Sequence, residues 1–292
     1  MEYVSYPDNF FGLVDPLSNY ESSKAVILQV PYEKTTTFMR GTKNGPKAIL
    51  KSSVEVQPYD EEMEKNICEA GICTLKPLKA GEEPEEMMEN ICNKIKKLAH
   101  DSKFPVIVGG EHSITPACIK AFSDKYDNLS VLQIDAHTDL ADEWDGTKYS
   151  HACALRRCFE ITRKIIPVGI RSTTMEEVEF AAQNGIKIFW AKDVYDNDEW
   201  HDDAIARLSD DVYITIDLDG FDPSIMPSVG TPEPGGMQYY PTLRFLKKVF
   251  NKRNVIGFDV VELCPNEKEA SSDFTAAKLI YKLIGYKFFK GL

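Results

Sequence analysis

The stretch Val131-Leu132-Gln133-Ile134-Asp135-Ala136-His137-Thr138-Asp139 decides how this chain is read. An apolar, strand-forming run ends in three metal-liganding side chains, each separated from the next by a small residue. In extended backbone, residues i, i+2 and i+4 point to one face, so Asp135, His137 and Asp139 converge on a small volume. Two carboxylates and an imidazole held that close repel or desolvate at a cost, which a cation removes. The construction recurs where Tyr213-Ile214-Thr215-Ile216 runs into Asp217-Leu218-Asp219-Gly220-Phe221-Asp222-Pro223. The chain reads first as a metalloenzyme.

Working outward, apolar runs rich in β-branched residues predict strands at 25–30, 105–108, 131–134, 165–170, 186–190, 212–216 and 254–261. Their apolarity is continuous rather than alternating, which suits strands buried on both faces of a parallel sheet between helical layers. Amphipathic segments predict helices at 85–98, 114–122, 175–183, 202–208, 241–249 and 273–283. The pattern predicts one α/β domain over residues 1–292 with about eight strands, and shows no internal repeat, low-complexity tract or interdomain linker.

In such sheets ligands bind beyond the carboxyl ends of the strands. Each acidic or histidine motif follows a strand: Gly109-Gly110-Glu111-His112-Ser113, the two motifs already quoted, and Glu262 after 256–261. Four such ends imply one shared crevice. His112, Asp135, His137, Asp139, Asp217 and Asp219 supply two imidazoles and four carboxylates, an inventory for two divalent ions bridged by carboxylates and a water. Oxygen-rich ligation without thiolate favours Mn²⁺, with Zn²⁺, Co²⁺ or Ni²⁺ as substitutes.

The chain has 292 residues and a formal net charge of −12. That charge disfavours nucleic acid or an anionic membrane as partner and suits metal ions and small cations. No segment approaches the roughly 18 apolar residues of a membrane helix. The first residues have neither a basic start nor an apolar stretch, so a cytoplasmic location is expected. Seven cysteines, an odd number with no C-x-x-C pair, predict reduced thiols and no thiolate zinc site.

Several further residues carry expectations. Gly109-Gly110 lets the backbone bend so that His112 turns into the crevice. The segment Gly230-Thr231-Pro232-Glu233-Pro234-Gly235-Gly236 reads as a stiff rim beside the second cluster. Ser150 is a helix N-cap candidate, and His151 after it a proton shuttle facing the crevice. His100 and His201 read as surface residues. Glu262 is read either as a salt-bridge partner of a core Arg or Lys, or as an anionic clamp for a guanidinium, whose planar donor fork matches a carboxylate.

These residues resemble the arginase and agmatinase family, the ureohydrolases. The resemblance covers most of the chain, from Pro31-Tyr32-Glu33-Lys34-Thr35-Thr36 and the 41–49 stretch to Glu262, and its Gly-Gly-Glu-His-Ser, Asp-Ala-His-Thr-Asp and Ile-Asp-Leu-Asp-Gly-Phe-Asp-Pro motifs are highly specific in combination. It implies a three-layer αβα fold with a central, mainly parallel eight-stranded sheet, two Mn²⁺ per subunit, and trimers or hexamers. By resemblance one ion takes His112, Asp135, Asp139 and Asp217, and the other Asp135, His137, Asp217 and Asp219, with Asp135 and Asp217 bridging. The implied chemistry is hydrolysis of a guanidinium carbon to urea and an amine. Glu262 then orients the guanidinium, Asp139 also bonds the nucleophile, and His151 relays a proton to the departing amine.

The loop at 140–149 is acidic and lacks the Asn with which arginases reach an α-carboxylate, so it is expected to repel an anionic tail and favour a terminal amine. Agmatine, giving putrescine and urea, is the expected substrate. Its N1-aminopropyl derivative is the alternative, ahead of arginine or guanidinobutyrate. A one-zinc deacetylase and a non-catalytic homologue are the rival classes; the ligand set exceeds what one ion uses, and every metal position is filled.

Overall fold

The computed structural model describes residues 1–79, 81 and 83–289. Its strands are β1 (Ala25–Val30), β2 (Tyr59–Asp60), β3 (Lys65–Asn66), β4 (Ile72–Thr74), β5 (Phe104–Gly109), β6 (Leu129–Ile134), β7 (Ile165–Ile170), β8 (Phe189–Trp190), β9 (Asp211–Asp217) and β10 (Asn254–Val261). Its helices are α1 (Gly45–Ser53), α2 (Pro84–His100), α3 (Thr115–Ser123), α4 (Ala154–Thr162), α5 (Met175–Gln183), α6 (Ala191–Val194), α7 (His201–Arg207), α8 (Tyr239–Lys252) and α9 (Ser271–Phe288). Eight strands form one sheet in the order β4-β1-β5-β10-β9-β6-β7-β8, with parallel pairing throughout. β2 and β3 make a separate antiparallel pair.

Each strand sends alternate residues to opposite faces, and two cores result. Ala25, Ile27, Val106, Leu132, Ile214 and Phe258 pack with α1, α7, α8 and α9, while Val26, Leu28, Ile107, Val131, Tyr213 and Ile256 pack with α2, α3, α4 and α5. Both faces are covered, which is why the strands carry continuous apolar runs. The three-layer α/β fold is therefore the one expected. Two strands differ from expectation. The three-residue edge strand β4 was not among those predicted, and β8 shortens to Phe189–Trp190 because Ile186 to Ile188 lie outside the ladder.

The strand order places the site. From β5 the chain passes to β6, leaving a gap that the late strands β9 and β10 fill, so the ends of β5, β10, β9 and β6 lie side by side. No described helix is long and apolar enough to cross a membrane.

Candidate metal centre

Each predicted ligand leaves the end of one of these central strands. β5 ends at Gly109, and His112 opens a short 3-10 helix that runs into α3. The two glycines permit close approach rather than an unusual backbone. A Cβ on Gly110 would lie 1.9 Å from the Tyr32 carbonyl oxygen, and one on Gly109 would lie 2.6 Å from Ile114 Cδ1. Neither has a positive φ. The left-handed residues here are Asp139 (φ 51°) and Glu262 (φ 65°), a conformation costly for residues with a Cβ and frequent at functional sites. Asp139 thus turns inward by leaving extended backbone, not by continuing the alternation of β6.

His112 is fully buried, with Nδ1 facing three carboxylates: Asp139 Oδ2 at 2.9 Å, Asp135 Oδ2 at 3.2 Å and Asp217 Oδ2 at 3.4 Å. His137 Nδ1 lies 3.1 Å from Asp219 Oδ2 and 3.6 Å from Asp135 Oδ1. Two groups of ligand atoms result, His112 with Asp135 and Asp139, and Asp135 with His137 and Asp219, each within 4.8 Å. Asp135 belongs to both. Asp217 borders the first group through Oδ2, while its Oδ1 accepts from Asp219 N at 2.9 Å.

The electrostatics of the cluster bear on which group it suits. Burial disfavours a charged His137, yet Asp135 and Asp219 outweigh it and lift the imidazole to about 12. Burial and the Asp135 charge push Asp139 up to about 6, and burial with Asp219 and Asp135 drives Asp217 well above the carboxylate range. Carboxylates this crowded favour added positive charge, which divalent cations supply in a metal centre. The buried His112 Nδ1 has no hydrogen-bond partner and points among oxygens. The donor set fits two divalent cations.

Neighbouring groups fix these ligands. Gln133 Nε2 donates to Asp135 Oδ2 at 2.7 Å, and His137 N to Asp135 Oδ1 at 2.6 Å. Thr231 Oγ1 donates to Asp219 Oδ2 at 2.9 Å, so the 230–236 segment braces the second cluster. Sequence reading did not single out Arg171, whose guanidinium donates to the carbonyls of Asp219, Gly220 and Phe221 on one side and Glu233 and Pro234 on the other. Nor did it single out Glu177, whose Oε1 accepts from Thr138 Oγ1 and Leu140 N, either side of Asp139. An Arg directly after a strand was the available signal for the first. The second is a capping-box glutamate of α5, with nothing in the sequence to mark its long-range bonds.

A cavity of about 250 Å³ opens over the centre, lined by His137, Asp139, Asp217 and Asp219 together with His151, Glu262, Trp144 and Glu177. Glu262 Oε1 accepts from His112 N at 2.7 Å and lies 3.5 Å from His151 Nδ1. No Arg or Lys salt-bridges it among the described residues. Burial opposes charge on His151, but Glu262 and Asp139 prevail and lift it to about 9. Its Nε2 is buried without a partner.

Two expectations fail. Ser150 precedes a short 3-10 helix but makes no side-chain cap, its hydroxyl being buried without a partner. His201 is not a surface residue: at 1% exposure it packs on Trp200 and Phe245 at the start of α7, because the helix face it occupies turns to the core. His100 is exposed as expected. The acids of the 140–149 loop do not line the cavity. Asp142 turns outward to Arg157 at 2.6 Å, Glu143 and Asp145 face solvent, and the loop reaches the cavity through Trp144. All seven cysteines are free.

Comparison with known proteins agrees with this geometry. The chain is 38% identical to the N(1)-aminopropylagmatine ureohydrolase of Synechocystis sp., over 98% of this chain and 95% of that one. It is 32% identical to the agmatinase of Pyrococcus horikoshii, over 96% and 98%. The crystal structure of the agmatine ureohydrolase of Thermoplasma volcanium superposes with a TM-score of 0.87 at 29% identity, covering 98% of this chain and 96% of that one. The model of the Arginase family matches residues 23–285, and the chain belongs to that family.

Proposed function

We propose that this protein is a binuclear manganese hydrolase that cleaves a cationic guanidine to urea and an amine, with N1-aminopropylagmatine as substrate and agmatine as the second reading. The observation that carries the chemistry is the pair of ligand groups sharing Asp135 beneath a cavity that also holds Glu262 and His151. His112, Asp135, Asp139 and Asp217 would hold one ion, and Asp135, His137, Asp217 and Asp219 the other. When bound, two divalent ions lower the pKa of a water, supplying hydroxide near neutral pH, and stabilise the charge that develops on attack.

The protein's own groups supply the rest. Glu262, anchored through Oε1, orients the planar guanidinium by accepting its N–H groups. Asp139 accepts a hydrogen bond from the attacking water. His151, lifted to about 9, is charged at neutral pH and passes a proton to the departing amine nitrogen, so that urea and a neutral leaving group separate.

The longer substrate is favoured by the 38% identical relative, whose name is N(1)-aminopropylagmatine ureohydrolase. Agmatine is supported by the 32% identical agmatinase and by the Thermoplasma structure. The test is urea release from Mn²⁺-reconstituted protein given N1-aminopropylagmatine, agmatine, arginine or guanidinobutyrate. A higher kcat/KM for N1-aminopropylagmatine, with spermidine as co-product, supports the first reading, and preference for agmatine with putrescine supports the second. Urea only from arginine or guanidinobutyrate removes both.

A further inference from the structure

Strand β10 carries a carboxylate in its apolar interior. Asp259 is fully buried, lies outside both ligand groups and the cavity wall, and has no ion-pair partner among the described residues. Three hydroxyls surround it instead. Tyr213 Oη and Thr115 Oγ1 each donate to Oδ2 at 2.9 Å, and Thr215 Oγ1 donates to Oδ1 at 2.6 Å. Thr215 is the partner of Asp259 in the β9–β10 ladder, so sheet register sets this contact. A buried carboxylate with three donors and no cation is costly as a mere packing element.

The outlet of this network is His112. Its Nε2 lies 2.8 Å from Thr215 Oγ1. A hydroxyl has one proton, and that of Thr215 is committed to Asp259 at the shorter distance. Thr215 must then accept at its oxygen, which requires the hydrogen of His112 to be on Nε2. Nδ1 is left with its lone pair, and Nδ1 is the nitrogen set among Asp135, Asp139 and Asp217.

We infer that Asp259, acting through Thr215, is a positioning residue that fixes the tautomer and ring orientation of His112 so that Nδ1 is open to a cation. The inference rests on the metal centre proposed above and is independent of which guanidine is the substrate. Histidine ligands commonly take such support at their second nitrogen; here it passes through a hydroxyl on the adjacent strand. Replacing the acceptor by an amide lets an N–H face Thr215 and turns the hydroxyl proton toward Nε2, which favours the tautomer that blocks Nδ1.

The test is Mn²⁺ binding to chelator-stripped protein, followed by electron paramagnetic resonance, with folding checked by circular dichroism. In Thr215→Val and Asp259→Asn, one of the two sites is expected to weaken by about 10–100-fold while the other keeps its affinity. Thr215→Ser, which keeps the hydroxyl, restores binding. A folded Thr215→Val with wild-type affinity at both sites overturns the proposal. Should that variant not fold, the imidazole ¹⁵N shifts of the Zn²⁺-loaded wild type decide it: a protonated Nε2 on His112 supports the proposal and a protonated Nδ1 overturns it. A wild type that takes up no Mn²⁺ overturns the metal centre as well.

Discussion

The hydroxyl of Thr35 accepts the backbone N–H of His151 at 3.0 Å and donates its own proton to Glu111 at 2.8 Å. Glu111 also accepts from Lys34 N and Thr35 N, and from Ser113 Oγ, and is itself fully buried. A glutamate next to the proposed ligand His112 therefore holds the loop that seats the candidate proton donor.

Thr35→Val removes that seat without altering a ligand. Turnover is expected to fall about tenfold or more, since small misplacements of a catalytic group are costly. Metal content should stay at the wild-type level and Thr35→Ser should recover most of the rate. Urea release measured beside metal analysis checks this; an unchanged kcat in Thr35→Val would remove the relay from consideration.

Asp135 is common to both ligand groups, whereas Asp219 is in one. Dialysed Asp135→Ala should retain neither ion, and Asp219→Ala should keep the ion at His112. Asp217, a second bridge by family resemblance, should also lose both when changed to Ala. Metal-to-protein ratios decide each case, and an Asp135→Ala protein that still holds two ions is incompatible with a shared ligand.

His151→Phe separates binding from proton transfer. The ring touches neither ligand group, so both ions remain. Turnover falls by roughly 10²–10⁴-fold, the usual contribution of a placed acid or base. The alkaline limb of the kcat profile, expected near pH 9 from the lift on this imidazole, should vanish in the variant. Near-normal turnover would take His151 out of the mechanism.

His201 gives a stability effect far from the site. Burial keeps its imidazole neutral down to about 4 in the fold, against the pull of Asp198, whereas an unfolded histidine titrates near 6.5. The folded pKa is the lower one, so the unfolded chain binds more protons. Its contribution is complete above about pH 6.5 and is lost as the pH falls toward 4. Between pH 7 and pH 5 this amounts to about 2 kcal/mol. Urea melts at the two pH values should show a smaller loss for His201→Phe than for wild type; equal losses would show that His201 takes up its proton in the fold.

Much of the candidate site was legible because a charged residue directly after a buried strand needs a partner. That rule found His112, Asp135, His137, Asp217, Asp219 and Glu262. It applied equally to Glu111, which stands in the same Gly-Gly-Glu-His-Ser motif and was passed over. His201 was misread because its charged neighbours Asp202 and Asp203 face solvent while its own face of α7 meets Trp200 and Phe245. The direction of the 140–149 side chains was not legible, because composition does not say which way a side chain turns, and Arg157 draws Asp142 outward.

The sequence by itself determined that buried parallel strands end in carboxylates and histidines, because continuous apolar runs and the abrupt charge after them are local properties of the chain. Only the tertiary structure decided which ends are neighbours. The order β5-β10-β9-β6 brings His112 to Asp217 and sets Thr215 beside Asp259, and the 31–37 loop carries Thr35 to His151. Strand order follows from how crossover helices pack on both faces of the sheet, a non-local balance that no single stretch of residues encodes.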